Sequence, residues 1–309
     1  MDRGYVNVMD ANRVIVMFRA VVGLSRFISI ERGFMLFMIT VAAMLLMEKS
    51  LGTIQALFVG LIVLFGWSAV DSMNNVCDMT LDAKSDPLRA EYARKLGPSG
   101  LVICIFLCGM SIALGVLTGM PLLDLFIMLG LVAGVLYSVP PFRLRQTVFK
   151  PFVNFSVGAI PVLIAAASSN YFSASVWSLV FVIGLTTGVN SLWEDLADYE
   201  SDVGTDARTM PIVLGVRRGL YVTIITGYLL LPGMILVGVM FQLGVLYYLI
   251  LFGLAAYLSI HLIRDRSVLF GKPSVNPPAM LRLGEALAKD FVVIAIIQTA
   301  NLMLSAFLK

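Results

Sequence analysis

Two stretches of the chain set polar and acidic residues on a four-residue beat: Asn74, Asp78, Asp82 and Asp86, then, 120 positions later, Glu194, Asp198, Asp202 and Asp206. Each begins where a long apolar run ends. A spacing of four brings side chains to nearly one face of a helix, so Asn74, Asp78 and Asp82 are expected to stack along one edge, as are Asp198 and Asp202. Carboxylates that close repel, and beside a membrane they persist where something cationic sits against them. Two facing sets of oxygen donors suit Mg²⁺. Basic residues follow each ladder, Lys84 and Arg89 after the first and Arg208 after the second. Carboxylates with nearby cations describe a site for a metal-bound polyanion such as diphosphate.

A third element lies between the ladders, Tyr137-Ser138-Val139-Pro140-Pro141-Phe142-Arg143-Leu144-Arg145. The Pro-Pro pair ends an apolar run and stiffens a turn, after which two Arg lie close to the membrane surface. Taken alone, that pair of Arg reads as an orienting anchor.

The elements that must position these residues are membrane spans. Of 309 residues 59% are hydrophobic and 13% charged, with a mean hydropathy of +0.93, which excludes a soluble domain. Apolar runs long enough to cross about 30 Å of hydrocarbon fall at 28–47, 53–75, 99–118, 120–138, 152–169, 175–193, 219–241, 243–263 and 287–307. With nine spans, 20 of the 22 Lys and Arg collect on one side, and only Lys49 and Lys309 fall on the other. By the positive-inside rule the N-terminus and both ladders are cytoplasmic and the C-terminus external. The connections after the second and sixth spans are the long ones, and from Asp71 to Glu91 and Glu194 to Asp206 they carry 11 of the 19 acids. Long charged loops tend to carry function. The offset between ladders covers four spans, as a duplicated four-helix unit with one extra helix would.

Other features read as structural. Residues 1–27 carry Arg3, Arg13, Arg19 and Arg26 without a clean apolar core. They therefore read as an interfacial segment, with Asn12–Arg26 an amphipathic helix, and not as a cleavable signal peptide. Cys77, Cys104 and Cys108 make no disulfide framework. Gly115-Gly119 and Gly130-Gly134 have the small-xxx-small spacing of ordinary helix packing. His261 and Trp193 read as interfacial rings, and Arg32 as a snorkelling cation.

The ladders and the third element together resemble the UbiA superfamily of intramembrane prenyltransferases. Its first signature corresponds to Asn74-Asn75-Val76-Cys77-Asp78-Met79-Thr80-Leu81-Asp82, continuing as Ser85-Asp86-Pro87-Leu88-Arg89. The second corresponds to Asp195-Leu196-Ala197-Asp198-Tyr199-Glu200-Ser201-Asp202, followed by Arg208-Thr209-Met210-Pro211. Asn75 stands where the family has Asp and Ser85 where Asn is common. Pro140-Pro141 intervene where some members carry a Lys soon after the Tyr.

The resemblance implies an all-α polytopic membrane protein: a single domain over 1–309, with nine transmembrane helices around a central cavity and cytoplasmic cap loops. It implies Mg²⁺ held by Asn74, Asp78 and Asp82 on one side and by Asp198 and Asp202, helped by Asp195, on the other. Lys84, Arg89, Arg143, Arg145 and Arg208 are the candidates to hold diphosphate, and Tyr137 and Asn74 to stabilise an allylic cation. The implied donor is an allylic polyprenyl diphosphate such as geranylgeranyl diphosphate. The acceptor is a lipophilic or aromatic molecule, a quinone precursor being favoured over a glycerol-phosphate lipid. The expected setting is the cell membrane, with the bilayer as partner and no nucleic acid. A secondary ion transporter is the competing class, but its acids lie near the bilayer midplane. Here they lie at helix ends beside Lys and Arg.

Overall fold

The computed structural model describes residues 13, 17–47, 53–79, 87–270 and 277–309. Among these there is no strand, and nine helices are long and apolar enough to cross a membrane. They are α1 Ile30–Met47, α2 Thr53–Cys77, α3 Pro98–Leu117, α4 Pro121–Ser138, α5 Lys150–Ser168, α6 Ala174–Ala197, α7 Val216–Met240, α8 Val245–Arg264 and α9 Pro277–Leu308. Proline opens the first turn of α3, α4 and α5, where its missing N–H has no partner to lose and its fixed φ suits a helix start. Ser173 caps α6 by accepting from the Val176 amide at 3.4 Å.

Helices lying in lipid cannot rely on apolar burial to associate and depend on close backbone approach and polar ties. The α5–α6 pair shows both. A Cβ on Gly158 would lie 2.5 Å from the Ile183 carbonyl oxygen, and one on Gly188 would lie 3.0 Å from that of Pro151. Thr187 Oγ1 donates across the pair to the Asn154 carbonyl at 2.6 Å. Gly130 and Gly134 do not serve a single partner: the first faces Ile160 of α5 and the second Val70 of α2. Most of the buried apolar side chains form one cluster, from Leu36 of α1 to Leu302 of α9. A smaller cluster packs Trp193 and Leu196 of α6 against Leu220, Leu287 and Phe291.

Several expectations are corrected here. Trp193 is no interface anchor; it is buried in that second cluster against the Phe291 ring. His261 is more than an interfacial ring, because its Nδ1 lies 2.7 Å from Asp290 Oδ2 and joins α8 to α9. The last span starts ten residues earlier than its apolar run, because Arg282, Glu285 and Lys289 belong to the same helix. Lys289 reaches Glu285 at 2.8 Å. Neither ladder is one continuous helical edge: α2 ends at Cys77 and α6 at Ala197, so Asp78 and Asp198 are each the first residue beyond a spanning helix. Asp82, Lys84 and Asp86 lie outside the described residues, as do residues 1–12 and 14–16 of the interfacial segment. Residues 17–27 are helical and expose Met17, Phe18 and Val21.

Candidate active site

The site is built where α2, α4, α5 and α6 end or begin on the face that carries the long connections. Asp78 keeps one helical hydrogen bond, its amide donating to the Asn74 carbonyl at 2.9 Å, so its side chain turns inward and is completely buried. Arg143 Nη2 donates to Asp78 Oδ1 at 2.8 Å and to the Cys77 carbonyl at 3.1 Å. Arg145 Nη1 donates to Asp78 Oδ2 and, at 3.2 Å, to Asn74 Oδ1. Ser138 Oγ, at the end of α4, donates to the same Asn74 oxygen at 3.0 Å. Two guanidiniums thus neutralise one buried carboxylate, the arrangement a buried charge requires.

The Arg pair is presented by the turn after α4. The Pro140-Pro141 peptide is cis, and Arg143 has φ 43°. The left-handed region costs a non-glycine residue about 1–3 kcal/mol, so the contacts to Asp78 and Cys77 must hold Arg143 there. A short 3₁₀ turn, Leu144–Gln146, then carries Arg145.

The second half comes from α5 and α6. Lys150, in the first turn of α5, is buried and donates to Asp195 Oδ1 at 2.7 Å. Its Nζ lies 3.8 Å from Glu194. Glu194 also accepts from Asn190 Nδ2 at 3.1 Å and faces Arg32 Nη2 at 3.5 Å. Beyond α6 the chain makes a single turn, Tyr199–Asp202, with the Asp202 amide donating to the Asp198 carbonyl at 2.9 Å. Burial pushes the Asp202 carboxyl above the usual carboxylate range; Lys150 and Arg145 oppose that shift, while Asp198 and Asp195 reinforce it. Arg208 is exposed, and its backbone amide ties the loop after α6 to the turn after α4 by donating to the Gln146 carbonyl at 2.7 Å. Arg89 lies on the helix Pro87–Leu96 that follows the first ladder.

Beneath this charged mouth a cavity of about 240 Å³ runs into the bundle. Asn74, Tyr137, Asn154, Asn190, Arg32, Asp71 and Glu194 line its polar part, and Leu36, Ile62, Trp67, Ile127 and Ile160 are among its apolar walls. Asn74 and Tyr137 thus connect mouth and cavity. Arg32, read as a snorkelling cation, also lines this cavity and faces Glu194. Asn75, which replaces the expected Asp, is buried and donates to the Phe27 carbonyl at 2.7 Å, anchoring the turn before α1.

Sequence reasoning missed Lys150, Asn154, Asn190 and the inward aim of Asp71. Glu194 was visible as the first acid of its ladder, and Asp71 only as an acid near the end of the second span. Lys150 had no local motif to mark it, since its partner Asp195 is 45 residues away.

The oxygen-only donor chemistry of Asn74, Asp78, Asp195, Asp198 and Asp202 fits Mg²⁺, and Asp195 Oδ2 is buried without a hydrogen-bond partner. Among the described residues no group of three or more His, Cys, Asp or Glu side chains is placed to hold a metal ion by itself. Mg²⁺ characteristically takes one or two carboxylates and completes its shell with water and substrate phosphates, so the donors present fit a metal that arrives with a diphosphate.

No curated protein sequence matches this chain. Solved structures do. One is that of a digeranylgeranylglyceryl phosphate synthase, 16% identical with a TM-score of 0.63, covering 94% of this chain and 99% of its own. A UbiA homologue from Archaeoglobus fulgidus bound to DMAPP and Mg²⁺ is 15% identical with a TM-score of 0.59, over 90% of this chain and 99% of its own. A UbiA homologue from Aeropyrum pernix K1 is 14% identical with a TM-score of 0.60, over 87% and 98%. At these identities the likeness establishes the fold, nine helices around a cavity. The UbiA prenyltransferase family model matches residues 35–268, which contain both ladders and the turn between them, and the chain belongs to that family of multi-pass membrane prenyltransferases.

Proposed function

We propose that this chain, as a single domain, uses Mg²⁺ to move a prenyl group from an allylic polyprenyl diphosphate to an aromatic quinone precursor, releasing diphosphate. The observation that carries this reading is the stacking of the charged mouth, Asp78 with Arg143 and Arg145 and Asp195 with Lys150, directly above a mainly apolar cavity. A diphosphate head and an isoprenoid tail need those two environments side by side. The Archaeoglobus fulgidus homologue of the same fold binds DMAPP and Mg²⁺, which supports the donor class. The concentration of Lys and Arg on this face supports a cytoplasmic site.

Asn74, Asp78 and Asp82 would hold one Mg²⁺, and Asp195, Asp198 and Asp202 a second. The metal supplies Lewis-acid neutralisation of the charge that grows on the leaving diphosphate. Arg143 and Arg145 occupy both oxygens of Asp78 in this structure; on binding they would turn to phosphate oxygens and free the carboxylate as a ligand. Lys150 adds a third cation, with Lys84, Arg89 and Arg208 as further diphosphate contacts. The C–O bond to the diphosphate breaks with both electrons going to oxygen. The Tyr137 ring, at the junction of mouth and cavity, would face the allylic carbon and disperse its positive charge, with the Asn74 side chain beside it. The apolar walls exclude water, which would otherwise capture it. The acceptor then bonds to that carbon, and its displaced proton passes to a carboxylate at the mouth.

The test is diphosphate release by purified protein given geranylgeranyl diphosphate, Mg²⁺ and a panel of acceptors. Mg²⁺-dependent release with a prenylated product supports the reading. Ion flux in vesicles without diphosphate release would replace it with transport.

A further inference from the structure

The cavity below the mouth has a charge pattern of its own. Its charged lining residues are Glu31, Arg32, Asp71 and Glu194, one cation against three carboxylates. The cation is already engaged, since Arg32 Nη2 lies 3.5 Å from Glu194 Oε1. Neighbouring Lys150 is bound to Asp195 at 2.7 Å and lies 3.8 Å from Glu194, so it is shared between two carboxylates. Asp71 is buried and accepts a hydrogen bond from the uncharged Ser29 Oγ through Oδ2. The remaining polar lining of this part is neutral and can donate hydrogen bonds: Tyr137, Asn154 and Asn190. Trp67 also lines the cavity, and its Nε1–H is buried with no hydrogen-bond partner.

From this we infer that the prenyl acceptor is an uncharged, hydroxyl-bearing molecule, and that Asp71 and Glu194 determine its selection by excluding carboxylate- and phosphate-bearing candidates. The inference rests on the prenyl-transfer reading and narrows its acceptor class. A phenol or hydroquinone ring can donate its hydroxyl to Asp71 or Glu194 and accept from the amides. An anionic acceptor would enter a poorly hydrated space whose surplus charge has its own sign, where like charges repel far more than in water. Arg32 is the one cation among the described charged lining residues, and it is shared with Glu194. The diphosphate donor escapes the same exclusion because its head stays at the mouth beside Arg143, Arg145 and Lys150.

A matched pair of probes isolates the charge: 4-hydroxybenzoate and its neutral methyl ester share a ring and a hydroxyl. Equilibrium binding of each to the purified full chain, without donor, should favour the ester by about tenfold or more, a difference of about 1.4 kcal/mol. The same order is expected in prenylated product formed from geranylgeranyl diphosphate. Glu194→Gln, which frees Arg32, and Asp71→Asn, which keeps an oxygen for Ser29, should each narrow the binding ratio several-fold by strengthening 4-hydroxybenzoate. Two different variants keep the test informative if one fails to fold. Equal or tighter binding of 4-hydroxybenzoate by the unaltered chain overturns the inference, as does a ratio that neither folded variant moves. Because binding is read without donor, loss of all diphosphate release would count against prenyl transfer and leave the acceptor result standing.

Discussion

Replacing Lys150 with Met removes the positive member of the most deeply buried ion pair in the site. Asp195 is 1% exposed and Lys150 7%, with Nζ 2.7 Å from Oδ1. At an effective dielectric of 20 the attraction is about 6 kcal/mol before desolvation is subtracted. Removing one partner of such a pair typically costs about 3–5 kcal/mol, because the other charge is left buried and uncompensated. Glu194, 3.8 Å from the same Nζ, pushes towards the upper half of that range. A large helical protein loses about 2–4 °C of melting temperature per kcal/mol, so the variant should melt about 10 °C lower in detergent. Adding Asp195→Asn removes the stranded charge while keeping the shape of the side chain. The double variant should then recover about 2 kcal/mol or more, a coupling measurable by a double-mutant cycle. Turnover should behave differently from stability. Both variants lack the cation proposed for diphosphate, so both should release it at least about 100-fold more slowly, as loss of one preorganised donor does elsewhere. A Lys150→Met protein that melts with the unaltered chain would refute the electrostatic argument. A double variant with normal turnover would make the pair purely structural.

Asp78→Asn keeps the shape that Arg143 and Arg145 surround but removes the charge, so the protein should fold while Mg²⁺-dependent turnover falls about 10²–10³-fold; near-normal turnover would remove Asp78 from the site. For Asp202 the folded carboxyl is raised above its ordinary range by burial, so the ionised form weakens the fold and its stability contribution is lost as pH rises through the folded value. Asp202→Asn should therefore melt higher than the unaltered chain at pH 7 without Mg²⁺ and match it once the carboxyl is protonated at acid pH; a variant less stable at pH 7 contradicts that sign. Gly158→Ala places a Cβ 2.5 Å from the Ile183 carbonyl oxygen, and overpacking of this kind costs about 1–3 kcal/mol. A lower melting temperature and slower turnover are expected as α5 and α6 separate, and an unchanged melting temperature would mean that the close approach is not needed.

The spans were legible because lipid imposes a minimum apolar length on each of them, and their boundaries mostly fall within a few residues of the helices observed. The exception, the start of α9, is physical: Arg282 and Glu285 belong to the helix ahead of its apolar run, where hydropathy no longer reports it. The ladders were legible as chemistry but not as shape. A beat of four gives the face of a helix only while the helix continues, and Asp78 and Asp198 are where the two helices stop. Trp193 was misread for a related reason. Trp is common at interfaces, and a single sequence does not show that this one packs on Phe291. Partner identities were out of reach altogether, since Arg143 and Asp78 are 65 residues apart and Lys150 and Asp195 are 45 apart.

The way the helices stop explains why the site needs three loops. The C-terminal end of a helix carries partial negative charge, so a carboxylate just beyond it is disfavoured by the helix itself. Both ladders place one there, Asp78 after α2 and Asp198 after α6, and the second adds Glu194 and Asp195 within the last turn of the helix. Neither arrangement is stable alone, and in each case cations come from the same segment, the turn after α4 and the start of α5. Arg143 bonds to the exposed Cys77 carbonyl as well as to Asp78, answering the helix end and the carboxylate together. Lys150 does the corresponding work for Asp195 and Glu194. A segment that must neutralise two acidic helix ends is thereby fixed between them, with its cations directed at the point where the ladders converge. That position also suits a leaving group that brings its own divalent cations, because exchanging guanidinium for Mg²⁺ at each carboxylate frees the Arg and Lys side chains for phosphate without leaving any buried charge unpaired.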